Sequence, residues 1–368
     1  KARLCAQTGV QMKKQRIRDY SITPGCMQPG PLNKITDVKG VLVGHSTIST
    51  PENKTGVTVI LPGTENPFLS KPVAACFVQN GFGKTCGLPQ IEELGCLETP
   101  IALTNTLNVG LVSDALISHT IQSCEKEGVT VHSVNPVVGE CNDSRINNIC
   151  RRAVNECHVK EALEHACADF EEGSVGSGKG TVCYGFKGGI GSASRLIPLD
   201  GKIYTLGVLV QSNFGATRYF TIQGRKVGEE LLNATDNFTK VIPTADDQGS
   251  IMMIVATDLP VSDRQLKRII RRAANGLACT GSYTGHGSGE IMIGFTTANR
   301  IPAESEKSVL TQSILSEPAL DHAFRAVGEA TEEAVLNSMI MADTTQGVDG
   351  RTYYSLREFA SYLIPASL

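Results

Sequence analysis

Apolar and polar positions along the chain fall into two rhythms. Short apolar runs bounded by turn residues read as strands, and apolar positions recurring every three or four residues read as helices. The first kind predicts strands at 56–62, 72–78, 101–103, 203–211 and 291–296, with a short strand pair over 35–45 about Lys39-Gly40. Residues 129–138 alternate as a further strand broken by Pro136, and 181–186 follow a glycine-rich stretch. The second kind predicts helices at 111–126, around 228–232, and at 318–341. Two more begin on cap residues: one after Asn142-Asp143-Ser144 running to about Phe170, the other from Ser262 to about Cys279. Residues 16–34 are rich in turn dipeptides and read as surface chain. The elements mix without a βαβ rhythm, a repeat or a linker, which predicts one mixed α/β domain over residues 1–368.

One stretch stands apart. Thr244-Ala245-Asp246-Asp247-Gln248 is polar, Gly249-Ser250 follows, and an apolar run from Ile251 to Ala256 begins at once. Such a run reads as a strand buried on both faces. Gly-Ser at its mouth reads as a simple turn. It also reads as a cleavage point, because cutting the Gly249–Ser250 bond gives Ser250 both a hydroxyl nucleophile and a free α-amine to act as its base.

Composition narrows the partners. The chain has 368 residues, a formal net charge of −3, 37 glycines and no Trp. Without a basic block or a long apolar span, neither nucleic acid nor a membrane is expected as a partner. Residues 1–11 lack the apolar core of a signal peptide, and Met12-Lys13-Lys14 reads as a natural start. Twelve cysteines without a CxxC pair suggest reduced thiols and a cytoplasmic setting, although a periplasmic or secreted protein stays open if a signal was removed upstream.

Several motifs carry less than they suggest. Gly173–Lys179 resembles a phosphate loop, but Gly180 stands where a Mg²⁺-binding hydroxyl is required. Cys150, Cys157, His158, His165 and Cys167 fall on one predicted helix, where seven-residue spacings lie about 10.5 Å apart and cannot share an ion. No metal or cofactor is expected. Gly285-His286-Gly287-Ser288-Gly289 lacks the first glycine of a nucleophile elbow. Ser288 and Glu290 carry more weight, since strand alternation puts both on one face. Asn213 ends a strand and reads as a turn residue or as an oxyanion donor. Glu140 reads as a loop acid.

Taken together, the segments Ile35–Val38, Gly83-Lys84-Thr85-Cys86-Gly87-Leu88, Glu98–Ile101 with Thr104-Asn105-Thr106, Phe186–Gly191, Val208–Asn213, Gly249-Ser250 and Gly287–Glu290 resemble the DmpA family of N-terminal-nucleophile-type (Ntn) aminopeptidases. The resemblance runs from about Met12 to the C-terminus. It implies a four-layer αββα sandwich like that of Ntn hydrolases with different strand connectivity. It also implies self-cleavage into an α chain 1–249 and a β chain 250–368 that stay together and assemble further, as a tetramer of heterodimers.

On this resemblance Ser250 is the nucleophile, Asn213 the oxyanion donor, and Ser288 and Glu290 its orienting neighbours. Glu140 binds the substrate's free ammonium, and Lys187 belongs to the active-site region. Some members carry Tyr where this chain has Asn142, which changes the pocket's shape. The implied activity is removal of the N-terminal residue from short peptides, amides or esters with a free amine. An amidase on a pantetheine-like or oligoamide substrate, an acyltransferase of the same fold and an inactive binding protein are the competing readings.

Overall fold

The computed structural model describes residues 14–233 and 247–363. The Met12 start and the polar residues Thr244–Asp246 lie outside them. The strands are β1 (Leu42–Ser49), β2 (Lys54–Leu61), β3 (Ser70–Gly81), β4 (Ile101–Asn105), β5 (Val137–Cys141), β6 (Val182–Cys183), β7 (Phe186–Lys187), β8 (Gly189–Leu199), β9 (Lys202–Asn213), β10 (Gly249–Thr257), β11 (Ser288–Pro302), β12 (Thr345–Gln346) and β13 (Thr352–Tyr353). The helices are α1 (Leu88–Leu94), α2 (Val109–Lys126), α3 (Glu156–Glu164), α4 (Val227–Asn233), α5 (Asp263–Ile270), α6 (Ala273–Cys279), α7 (Leu320–Ile340) and α8 (Ala360–Leu363).

Two sheets form the centre. One runs β1-β2-β4-β5 and the other β3-β11-β10-β9-β8. Between them lies an apolar layer to which Val43, Ile60, Leu103 and Val137 contribute from one sheet, and Leu209, Met252, Ile254 and Ile293 from the other. The outer face of the first sheet packs Val57, Val59, Ala102 and Val138 on Val112, Leu116 and Val159 of α2 and α3. The outer face of the second packs Val208, Ile251, Met253 and Val255 on Leu266, Ala326, Ala330 and Ala334 of α5 and α7. The result is the four-layer αββα sandwich.

β10 sits between β9, antiparallel, and β11, parallel. A central strand covered on both faces cannot alternate polar with apolar, which explains its unbroken apolar run. Successive residues feed the two cores in turn: Ile251, Met253 and Val255 face the helices, whereas Met252, Ile254 and Ala256 face the other sheet.

Several sequence expectations are corrected. Residues 35–37 form a 3-10 turn rather than a strand, because Asp37 Oδ2 accepts from the Lys34 N–H at 3.1 Å. The strand expected over 129–138 is confined to Val137–Cys141, beyond Pro136. The helix expected after Asn142 does not form. Asn142 Oδ1 accepts from the Ser144 N–H at 3.0 Å and the buried Asp143 from the Asn147 amide at 3.0 Å, so these cap-type residues build a turn. The helix starts at Glu156, where His158 Nδ1 accepts from the Asn155 N–H at 3.0 Å. The helix expected from Ser262 to Cys279 is two helices, α5 and α6. Strand β8 has no counterpart in the sequence reading. Its small residues serve close packing: a Cβ at Gly191 would stand 2.0 Å from the Ala334 carbonyl of α7.

Candidate active site

The polar ends of β5, β9 and β10 meet at one rim of the sandwich and enclose a cavity of about 250 Å³. Ser250 lines it, on the second residue of β10. The preceding Gly249 has φ +115°, and a Cβ there would stand 2.0 Å from the Asn213 carbonyl oxygen. Both features require glycine. The bond between these two residues therefore follows a residue with a left-handed backbone pressed against its neighbour strand.

Asn213 is directly opposite Ser250 in the β9–β10 register, so the two side chains share a face, the one turned toward the other sheet. The Asn213 amide is held at both ends. Its Oδ1 accepts from the Val182 N–H at 3.0 Å and its Nδ2 donates to the Asn142 carbonyl at 2.9 Å. Nδ2 carries a second proton, and Asn213 lines the cavity beside Ser250.

Glu140, near the end of β5, lines the same cavity and is 3% exposed. Its Oε1 accepts from the Lys84 N–H at 2.9 Å, and its Oε2 accepts from the Thr106 hydroxyl. A carboxylate so oriented retains lone pairs for a cation. Cys141 follows it, with its thiol directed at the Gln211 carbonyl at 3.4 Å and the Ser250 carbonyl at 3.5 Å. Burial pushes that thiol's pKa far up. It is a neutral packing group, not a rival nucleophile. Asn142 lines the cavity as well.

Ser288 and Glu290 share one face, as alternation predicts, and the Ser288 hydroxyl donates to Glu290 Oε1. The parallel register pairs Ser250 with Gly289 and Gly249 with Ser288. The pair therefore flanks the Gly249–Ser250 backbone from the helix side, while the Ser250 side chain points to the sheet–sheet side. Neither residue is among those that line the cavity. The resemblance puts the pair beside Ser250; in the register they neighbour the backbone at Gly249–Ser250 rather than the Ser250 hydroxyl. Burial raises the Glu290 pKa to about 7, the Ser288 hydrogen bond opposes this, and the nearby Asp247 charge adds to it. Glu290 Oε2 and Asp247 Oδ1 are buried with no hydrogen-bond partner among the described residues.

Lys187 is fully buried and is not a cavity residue. Its Nζ donates to the carbonyls of Gly178, Thr181 and Gly188 at 2.9, 3.0 and 2.7 Å. Three ammonium protons meet three acceptors, which leaves none for a further ligand. Burial holds its pKa well below the usual lysine value. It pins the loop that carries Val182, and Val182 holds Asn213.

Sequence reading missed several cavity residues: Phe82, Lys84, Thr106, Arg145 and Gln248. Lys84 and Thr106 lie in stretches it singled out, and Arg145 lies in the run it read as helix. Their convergence depends on strand pairing, which brings β4 and β5 together in register, Thr104 opposite Glu140.

The arrangement combines a hydroxyl next to a glycine with positive φ, an anchored amide beside it, and a buried carboxylate lining the same cavity. That set suits acyl transfer from a substrate bearing a cation.

A family model described as peptidase family S58 matches residues 33–353. A β-peptidyl aminopeptidase, BapA, of Sphingosinicella microcystinivorans is 37% identical over 361 residues, covering 93% of this chain and 89% of that protein. Among solved structures, the PH0078 protein of Pyrococcus horikoshii OT3 superposes with a TM-score of 0.87 at 45% identity, covering 95% of this chain and 98% of that one. The L-aminopeptidase D-Ala-esterase/amidase of Ochrobactrum anthropi, described as a prototype serine aminopeptidase and a new variant of the Ntn hydrolase fold, superposes with a TM-score of 0.86 at 33% identity, covering 95% and 97%.

Proposed function

The chain belongs to peptidase family S58, and from that premise we propose a serine aminopeptidase that activates itself by cutting Gly249–Ser250. The observation that carries this reading is the meeting of Gly249, in a backbone conformation suited to glycine, with Ser250 and Asn213 paired across β9–β10.

In the precursor, the Ser250 hydroxyl attacks the Gly249 carbonyl. The C–N bond breaks, the α-amine of Ser250 takes the proton, and an ester joins the two residues. Water hydrolyses that ester, leaving a Gly249 carboxylate and a free Ser250. β9 and β10 remain hydrogen-bonded neighbours from opposite sides of the cut, with β10 buried mid-sheet, so the two chains stay one folding unit.

In the mature enzyme, the Ser250 hydroxyl attacks the substrate carbonyl and passes its proton to its own α-amine, whose reference pKa of about 7.7–8.0 suits this near neutrality. The free proton of Asn213 Nδ2 stabilises the oxyanion. The C–N bond of the substrate breaks as the leaving amine takes the proton, and water then releases the acyl group from Ser250. Ser288 lies across from Gly249, so the Ser288–Glu290 pair serves the new amine and holds its lone pair toward the hydroxyl. Glu140, held by Lys84 and Thr106, binds the substrate's ammonium and limits cleavage to N-terminal residues.

The test is a set of p-nitroanilides bearing L-α, D and β amino acids, each with its N-acetylated control. Turnover of the free amines alone, lost in Glu140→Gln chiefly through KM, supports the reading. Equal turnover of blocked and free amines removes it.

A further inference from the structure

The cavity carries more positive charge than cleavage of an amide requires. Among the described residues, its charged lining ones are Glu140, Lys84 and Arg145, two cations against one anion. Arg145 is exposed, and its guanidinium makes no hydrogen bond or ion pair with the described residues.

Arg145 is nonetheless held in place by its backbone. It sits in the turn built by Asp143, whose carbonyl accepts from the Ile146 and Asn147 N–H groups at 3.0 and 2.9 Å. From the other side, the β12–β13 hairpin closes on it: the Val348 N–H donates to the Ile146 carbonyl, and a Cβ at Gly347 would stand 2.6 Å from the Arg145 carbonyl. Lys84 is likewise fixed by its backbone, through its N–H on Glu140. Its ammonium rests over the Phe82 ring, 4.7 Å from the centroid. An unpaired guanidinium on an anchored turn, at a cavity where the one acidic lining residue among the described residues is committed to an ammonium, is a receptor for a carboxylate.

We infer that the enzyme selects short peptides with a free C-terminal carboxylate, zwitterionic dipeptides above all, and that Arg145, assisted by Lys84, recognises that carboxylate. The inference rests on the reading of Glu140 as the ammonium site. The cavity volume agrees with it, because about 250 Å³ is below the roughly 300–1,000 Å³ of sites for drug-sized ligands and suits an occupant of one or two residues. Charge placement agrees too: the ammonium goes to Glu140, the scissile carbonyl to Ser250, and the carboxylate of the leaving residue to the cations.

The experiment compares kcat/KM for a dipeptide and for the same dipeptide as its C-terminal amide, on the mature enzyme, with the first residue fixed by the p-nitroanilide panel. The expected result is a preference of about tenfold for the free acid, the size of one charge-assisted contact. The preference shrinks at high salt, falls to near one in Arg145→Met, and is partly retained in Arg145→Lys. Equal turnover of acid and amide by the wild type, or a ratio untouched by Arg145→Met, overturns the inference and leaves the aminopeptidase reading standing. Failure to cleave either dipeptide or any free-amine p-nitroanilide overturns both.

Discussion

Ser250 and Asn213 face each other across the antiparallel β9–β10 pair, on the side of the sheet turned toward β5 and its Glu140. The hydroxyl and the amide come from opposite sides of the proposed cut, yet the register of one sheet fixes their separation. Asn213→Ala removes the oxyanion donor, and kcat should fall about 10²–10³-fold. KM should move little, because the ground-state contacts lie at Glu140. Steady-state kinetics separates the two. A drop confined to KM contradicts the assignment.

Gly249→Ala tests the bond itself. A methyl group there meets the Asn213 carbonyl at 2.0 Å and sits on a backbone with φ +115°. We expect a chain that remains uncut and melts lower, by a cost of about 1–3 kcal/mol from the strained backbone alone. Denaturing gels and thermal melts read both effects. Normal cleavage in this variant would mean that the glycine is dispensable.

Glu290 predicts a pH dependence of stability. Burial lifts its pKa from the ordinary carboxylate value to about 7. The folded protein therefore binds a proton that the unfolded chain releases near pH 4.5, and stability falls as pH rises from there to about 7 and levels off above. Glu290→Gln should flatten that fall, so the gap between denaturant midpoints at pH 5 and pH 8 narrows. A gap unchanged by the substitution contradicts the assignment.

Lys187 is expected to act through Asn213. Lys187→Met leaves the carbonyls of Gly178, Thr181 and Gly188 without their donor and loosens the loop that carries Val182. Leaving buried acceptors without a donor costs about 1–3 kcal/mol per group. Among molecules still folded, kcat should fall with KM nearly unchanged. Equal loss on both parameters would point to a merely structural role.

The sequence made some of this legible and hid the rest for physical reasons. The apolar run after Ser250 is readable because a strand buried on both faces must be apolar throughout, and Ser288 with Glu290 is readable because alternation is a local property. Their position relative to Ser250 is not local. It follows from Ser250 pairing with Gly289 rather than Ser288, and the register between strands more than 30 residues apart is set by packing. Strand β8 escaped notice because Gly189, Gly191, Ser192 and Ser194 look like loop residues, while the missing side chain of Gly191 is what admits α7. The overextended helix after Asn142 failed for a related reason. Asn and Asp cap helices and build turns with the same side-chain geometry, and burial of Asp143 selects the turn that presents Arg145 to the cavity.

The proposed activation turns on one bond, Gly249–Ser250. Intact-mass measurement of the purified wild-type chain, with a denaturing gel over a long incubation at neutral pH, should show two species, the second beginning at Ser250, while Ser250→Ala stays a single uncut chain. A wild-type chain that remains whole, or a Ser250→Ala chain cut at the same place, would contradict it.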